Sequence, residues 1–281
     1  MDLLQQTSRG GALSIRALSK IYDPDGASVV ALDRCSIDIA PGAFVAIVGP
    51  SGCGKSTLLN ILAGFDAPTS GEVLLNGETL ATASRPASPG ADRVVVFQHG
   101  ALFPWKTVID NVVYGLVRQG RLRAPEARTY GLEFLDRFGG LSRAADQFPG
   151  QLSSGMQRRV EMARALINDP QILLLDEPFR AMDTANKKRM HRHLLDIHAL
   201  FPKTVFFITH DLEEAIFLAD TVFVMTSRPG RIKLKLDIPL PRPRDVTLFS
   251  SPDFIALKRA AITAVHEEAQ KAFMSGEREL A

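Results

Sequence analysis

A glycine-rich run, Gly49-Pro-Ser-Gly-Cys-Gly-Lys-Ser-Thr57, constrains this chain more than any other stretch. It follows the apolar run Phe44-Val-Ala-Ile-Val48 and leads into Leu58-Leu-Asn-Ile-Leu-Ala63, so the order reads strand, turn, helix. Glycines lacking a Cβ let several backbone N–H groups face one point, and a helix N-terminus adds a partial positive charge there. The spacing of Gly49, Gly54, Lys55 and Ser56 fits a phosphate-binding loop. A chance glycine turn is the alternative, and the flanking strand and helix argue against it. Gly49, Pro50, Ser51, Gly52, Cys53, Gly54, Lys55, Ser56 and Thr57 are therefore expected to hold phosphates. Lys55 would reach the β- and γ-phosphates, and the Ser56 hydroxyl would ligate Mg2+. Alkylation of Cys53 is then expected to be blocked by a bound nucleotide.

The remaining chain alternates strands and helices. Leu13–Leu18 and Cys35–Ile39 have period two, and Pro41-Gly42 marks a turn before the strand that enters the loop. Glu72–Gly77 reads as strand and turn, residues 81–92 as a surface loop rich in proline and small residues, and Arg93–Phe97 as a buried strand ending at Gln98. Helical spacing then dominates over Thr107–Val117, Pro125–Phe138 and Ser154–Ile167, with Thr107 and Ser153 as N-caps. Ile172–Leu175 is an apolar strand, Thr184–Leu200 a helix and Thr204–Thr209 a strand. His210-Asp211 opens another helix, and two strands, 221–225 and 231–236, follow it. The proline-basic linker Pro239–Arg244 precedes an amphipathic helix from about Pro252 to Phe273, which either docks on its own core or serves as a dimer contact. This order implies a largely parallel core sheet, with antiparallel strands near the N-terminus and a helical insert.

Charge and cysteine usage exclude several function classes. Thirty-three basic and 31 acidic residues leave a net charge of +2, which offers no footprint for nucleic acid. The two cysteines, Cys35 and Cys53, form neither a disulfide framework nor a metal motif and suit a reducing compartment. Residues 1–7 have no signal-peptide pattern, and no apolar run has the length of a membrane span. His191 and His193 lie two apart on a helix, hence on different faces, which argues against zinc.

A phosphate loop needs acidic partners. Asp176 ends a buried strand, where open α/β sheets place ligand chemistry, and its carboxylate would hold Mg2+. The neighbouring Glu177 could orient or deprotonate an attacking water. A helix N-cap is the plainer reading of such a pair, and Pro178 weakens it. Gln98 and His210 also end apolar strands; one such polar residue is a solvated terminus, whereas several on one edge suggest a site.

With these motifs in order, residues 13–232 resemble the ATP-binding subunits of ABC transporters. The resemblance rests on the loop, Gln98, the signature-like Leu152-Ser-Ser-Gly-Met156, the strand ending in Asp176-Glu177, Ala181-Met-Asp183 and His210. It implies an α/β P-loop NTPase core with an antiparallel β subdomain and an inserted α-helical subdomain, spanning 13–240 with the insert at about 104–168. Residues 241–281 would form a C-terminal linker and helix. It also implies a head-to-tail homodimer, with each ATP between one loop and the opposite chain's signature. By that resemblance Tyr22, otherwise a half-buried core residue, stacks on adenine. Gln98 ligates Mg2+, Glu177 is the catalytic base and His210 stabilises the transition state. Ser153 and Gly155 close over the partner's ATP, and Asp183 links the two sites. Two positions depart from the family. Ser154 replaces a glycine and adds a Cβ or a donor. Arg180 replaces a small residue, to pair across the dimer seam or to remain solvated.

Val96–Trp105, Thr107–Val112 and Ser227–Ile232 resemble the nitrate, sulfonate and taurine importer branch. That branch implies transmembrane permease subunits, a periplasmic or extracellular substrate-binding protein, and a place on the cytoplasmic face of the inner membrane. Phe103, Pro104 and Trp105 would meet the permease. The rival is a soluble ABC ATPase acting on a macromolecule, but such chains carry two nucleotide domains or long coiled coils. A P-loop kinase or GTPase would leave the signature and His210 unexplained.

Overall fold

The computed structural model describes residues 10–23 and 25–274. The expectations for residues 1–7 and for 275–281 lie outside the described residues. The strands are β1 (Leu13–Tyr22), β2 (Val29–Ile39), β3 (Phe44–Val48), β4 (Ser70–Leu75), β5 (Glu78–Thr82), β6 (Arg93–Val96), β7 (Ile172–Asp176), β8 (Thr204–Ile208), β9 (Thr221–Met225) and β10 (Ile232–Asp237). The α-helices are α1 (Lys55–Ala63), α2 (Val108–Arg118), α3 (Ala124–Arg137), α4 (Ser154–Leu166), α5 (Thr184–Leu200), α6 (Leu212–Leu218) and α7 (Pro252–Met274).

One sheet has six strands in the order β10-β9-β3-β8-β7-β6 and is parallel except for β10. The sequence of β3 explains its central place. Phe44, Ala46 and Val48 enter one hydrophobic core and Val45 and Ile47 the other, so both faces must be covered. Helix α1 and a four-stranded antiparallel sheet, β2-β1-β4-β5, cover one face. The remaining helices cover the other. Helices α2, α3 and α4 all fall between β6 and β7, as expected for an insert. Thr107 caps α2 by accepting from the Asp110 N–H at 3.3 Å, and Ser153 caps α4 by accepting from Met156 at 3.3 Å.

Four strands depart from the bounds expected from the sequence. β1 runs on to Tyr22 and β2 begins at Val29, because bulges after Ile15, Leu18 and Lys20 shift the register and destroy the alternation. β5 lies partly where a loop is expected; among the described residues it pairs with β4 alone, and a partly exposed edge strand lacks a full apolar pattern. β6 stops at Val96, and Phe97, rather than being buried, is exposed and stacks on Phe65 with ring centroids 6.0 Å apart.

The basic linker is not free. Arg244 is buried and donates to the carbonyls of Ile216 (3.3 Å), Phe217 (3.1 Å) and Ala219 (2.7 Å), satisfying the C-terminal end of α6. Burial pushes its guanidinium down to about 10. Helix α7 docks on the same body through buried Phe254, Ala261 and Ala264. Its Glu268 accepts from Lys233 (2.8 Å), Lys271 (2.8 Å) and the Ser227 N–H (3.1 Å).

Candidate functional site

Parallel neighbours end on one edge. Val96 pairs with Leu175, Asp176 with Ile208, and Ile47 with Ile208, so β6, β7, β8 and β3 finish side by side. The residues that follow these strands therefore share that edge: Gln98, Asp176 with Glu177, His210, and the loop from Gly49. A switch of strand order at the carboxyl edge of an open sheet is the usual position of a ligand crevice.

The loop is built for close backbone approach. Gly52 (φ 75°) and Gly54 (φ 95°) adopt left-handed conformations. A Cβ on Gly54 would also lie 2.7 Å from Leu32 Cδ2 and 2.8 Å from the Ala31 carbonyl, so only glycine fits. Gly54 offers α1 no side-chain cap, and the first turn of α1 has no acidic residue. The positive end of this helix is thus left for an anion. Ser51, Gly52 and Ser56 are exposed on the loop. Lys55 folds back, with Nζ 2.9 Å from the Gly49 carbonyl and 2.8 Å from that of Pro50. Cys53 turns inward and is 1% exposed, with burial raising its thiol. The expectation that bound nucleotide shields its thiol from alkylation is therefore corrected: the hydrophobic core already does so. Only the Cys53 backbone lies on the loop, and its N–H points to the Pro50 carbonyl at 3.4 Å.

At the neighbouring strand ends, burial first and the adjacent Glu177 second raise the Asp176 carboxyl, while Lys55 opposes them. Glu177 has a left-handed backbone (φ 42°) and one oxygen, Oε2, in two contacts. These are His210 Nδ1 at 3.1 Å and Arg180 Nη1 at 3.2 Å. Arg180 thus meets a carboxylate of its own chain while its guanidinium stays largely exposed to solvent. The Gln98 backbone is pinned by Arg158, which donates to its carbonyl at 2.8 Å and to that of Phe97 at 2.7 Å. Tyr22 ends β1 beside α1, its hydroxyl donating to Asp66 at 2.7 Å and lying 3.5 Å from the Thr57 hydroxyl. Lys20 sits 4.8 Å from the centroid of its ring. Asp176, Ser56 and Gln98 present oxygen donors suited to a hard cation that keeps phosphate and water ligands, so the residues fit Mg2+.

Ser153, Gly155 and Asp183 make no hydrogen bond to this group among the described residues. The Ser153 hydroxyl caps α4, and a Cβ on Gly155 would meet nothing within 4 Å. Asp183 caps α5 by accepting from Ala185 (3.1 Å) and Asn186 (3.0 Å), bonds that hold its carboxyl low. No hydrogen bond among the described residues joins 153–155 to the loop.

Two supporting clusters escape a motif reading. Arg158 and Glu161 pair at 2.6 Å inside the fold, and Glu161 also accepts from the Ala101 N–H at 2.7 Å. Beneath His210, buried Glu214 accepts from the Thr209 hydroxyl, meets His191 at 2.6 Å and lies 3.7 Å from Lys187. The signal available in sequence is a charged residue inside an apolar helical face. His193 faces elsewhere, 3.1 Å from Arg159, and burial brings its imidazole down to about 4. Among the described residues no cluster of three or more His, Cys, Asp or Glu could hold a metal.

The pattern of the family described as ABC transporter matches residues 32–180. The chain belongs to that family. It is 45% identical over 231 residues to the nitrate import ATP-binding protein NrtD of Synechocystis sp., covering 82% of this chain and 83% of that protein. It is 44% identical over 246 residues to the taurine import ATP-binding protein TauB of Rhizobium johnstonii, covering 86% and 91%. Among solved structures, a dimeric ATP-binding cassette bound to ADP and Pi is 30% identical with TM-score 0.66, covering 82% of this chain and all of that one. The cbiO1 protein of Clostridium perfringens, part of an ABC transporter complex, is 26% identical with TM-score 0.71, covering 92% and 97%. This ABC protein is therefore an ATP-binding and ATP-hydrolysing subunit with the ABC cassette fold, and it stands with the nitrate and taurine importer ATPases.

Proposed function

We propose that this chain energises import of a small solute of the nitrate, sulfonate or taurine kind, by ATP-driven closing of a homodimer against two permease subunits. The observation that carries the reading is the shared edge where the loop, Asp176, Glu177 and His210 meet, while a Cβ on Gly155 in the first turn of α4 would meet nothing within 4 Å. A site split in this way is half-complete in one chain. Residues 13–240 would be the working domain, with its helical insert at about 104–168, and 241–281 an appended segment. The chain would sit on the cytoplasmic face of the inner membrane, served by a substrate-binding protein outside.

Phosphoryl transfer depends on positioning and charge stabilisation. The α1 N-terminus and Lys55 would hold the phosphates, Lys55 exchanging its loop carbonyls for phosphoryl oxygens. Tyr22 offers a ring face to adenine. Asp176, Ser56 and Gln98 would hold Mg2+, which would supply positive charge to the phosphates. Glu177 would orient and deprotonate the attacking water, and His210, held through Nδ1, keeps Nε2 for the γ-phosphate. Ser153 and Gly155 of the partner would seal the site, with Asp183 joining the two halves.

Phe103, Pro104 and Trp105 would form the permease contact. Trp105 is 71% exposed, unlike a core tryptophan, and lies 5.6 Å from the Phe103 ring. Beside them is a cleft of about 240 Å³ floored by Glu161 and Arg164. Exposed aromatics next to a cleft suit an interface anchor.

The decisive experiment is Glu177→Gln, measured by ATPase rate and by light scattering with ATP. Loss of turnover with accumulation of an ATP-bound dimer is expected. Wild-type turnover would remove Glu177 from the role of base, and a monomer under all conditions would remove the shared site.

A further inference from the structure

Arg180 is three residues beyond Glu177, and the backbone between them is folded into a turn in which the Arg180 N–H donates to the Glu177 carbonyl at 3.2 Å. The Glu177 N–H is fixed in turn to the Ile208 carbonyl at 3.0 Å. The left-handed φ of 42° at Glu177 is uncommon for a residue with a Cβ. This geometry returns the Arg180 side chain over the carboxylate it follows, and Nη1 reaches Oε2 at 3.2 Å. His210 Nδ1 meets the same oxygen at 3.1 Å. Both contacts therefore fall on Oε2, and no described residue bonds Oε1.

A second carboxylate stands next door. Asp176 directly precedes Glu177 at the end of β7, so two like charges lie side by side. Arg180 sets a permanent positive charge in direct contact with the second of them, Glu177. We propose that Arg180 is a positioning residue: it clamps Oε2 of Glu177 so that Oε1 stays aimed at the attacking water. The water proton would pass to Oε1 as the water oxygen bonds the γ-phosphorus and the bond to the β-phosphate bridging oxygen breaks, leaving ADP and phosphate. Arg180 touches none of the reacting atoms, so its effect belongs to turnover and not to nucleotide affinity. This inference rests on the reading of Glu177 as the base.

Steady-state ATPase of the full chain with Arg180→Gln, Arg180→Lys and Glu177→Gln tests it, at low and high salt and saturating ATP. The guanidinium side chain is 57% exposed, so the pair is worth a modest factor. Arg180→Gln should lower kcat about two- to fivefold with KM unchanged, and Arg180→Lys should recover part of that loss. Raising salt should bring the wild-type kcat toward that of Arg180→Gln and leave the variant flat. An unchanged or increased kcat in Arg180→Gln overturns the clamp. So does a loss carried by KM or by failure of ATP-dependent dimerisation, which would place Arg180 at the partner surface instead. Wild-type turnover in Glu177→Gln would remove the base itself, an outcome separate from any result at Arg180.

Discussion

The Lys55 ammonium donates to the Gly49 carbonyl at 2.9 Å, so the cation of the phosphate loop is held by the first residue of the same loop. With the Pro50 carbonyl at 2.8 Å, these bonds keep a nearly buried charge satisfied and have to be exchanged when phosphate arrives. Lys55→Ala removes a charge-assisted contact to the nucleotide. ATP affinity, read by titration with a fluorescent analogue, is expected to fall about 10- to 100-fold, in line with such bonds.

Cys53 gives a chemical check on the loop's inner side. Its thiol is enclosed and raised by burial, against the pull of Lys55. Cys35 is buried as well and pushed up to about 12. Neither thiol should be alkylated by iodoacetamide in the native protein near neutral pH, with or without ATP, and both should react in urea. Mass spectrometry of the labelled peptides decides this; rapid native labelling of Cys53 would place its side chain outside the core.

Glu268 ties α7 to the β9–β10 hairpin. Burial works against its charge, but donation from Lys233, Lys271 and the Ser227 N–H brings its carboxyl down to about 2. A carboxyl lowered on folding contributes stability that is complete above its unfolded value near 4.5 and fades as pH falls toward 2. Urea unfolding of wild type and Glu268→Gln should therefore differ at pH 6 and converge between about pH 4.5 and 2. A difference that persists at pH 2 would assign the effect to packing.

Trp105 tests the membrane contact. Trp105→Ala is expected to weaken capture of the chain by detergent-solubilised permease at least tenfold, as removal of an aromatic anchor does. Equal capture of variant and wild type would move the contact elsewhere.

Much of the site was legible because its residues are local. Apolar runs followed by a glycine loop, Gln98, Asp176-Glu177 and His210 each mark a strand end without reference to the rest of the chain. Bulged β1, edge strand β5 and the early end of β6 were less legible, because register shifts and one-sided pairing erase the alternation on which such reading depends.

By itself the sequence determined that a strand, a phosphate loop and a helix occur in that order, since glycine spacing and apolar periodicity act over a few residues. It also determined the identity of each polar strand end. Only the tertiary structure decided which of those ends are neighbours, because parallel pairing joins β3, β6, β7 and β8 across long stretches of chain. It likewise decided that Cys53 faces the core, that Arg244 caps α6 and that Arg180 turns back on Glu177. Those outcomes depend on burial and on where a side chain's charge finds a partner, quantities that spacing along the chain does not contain.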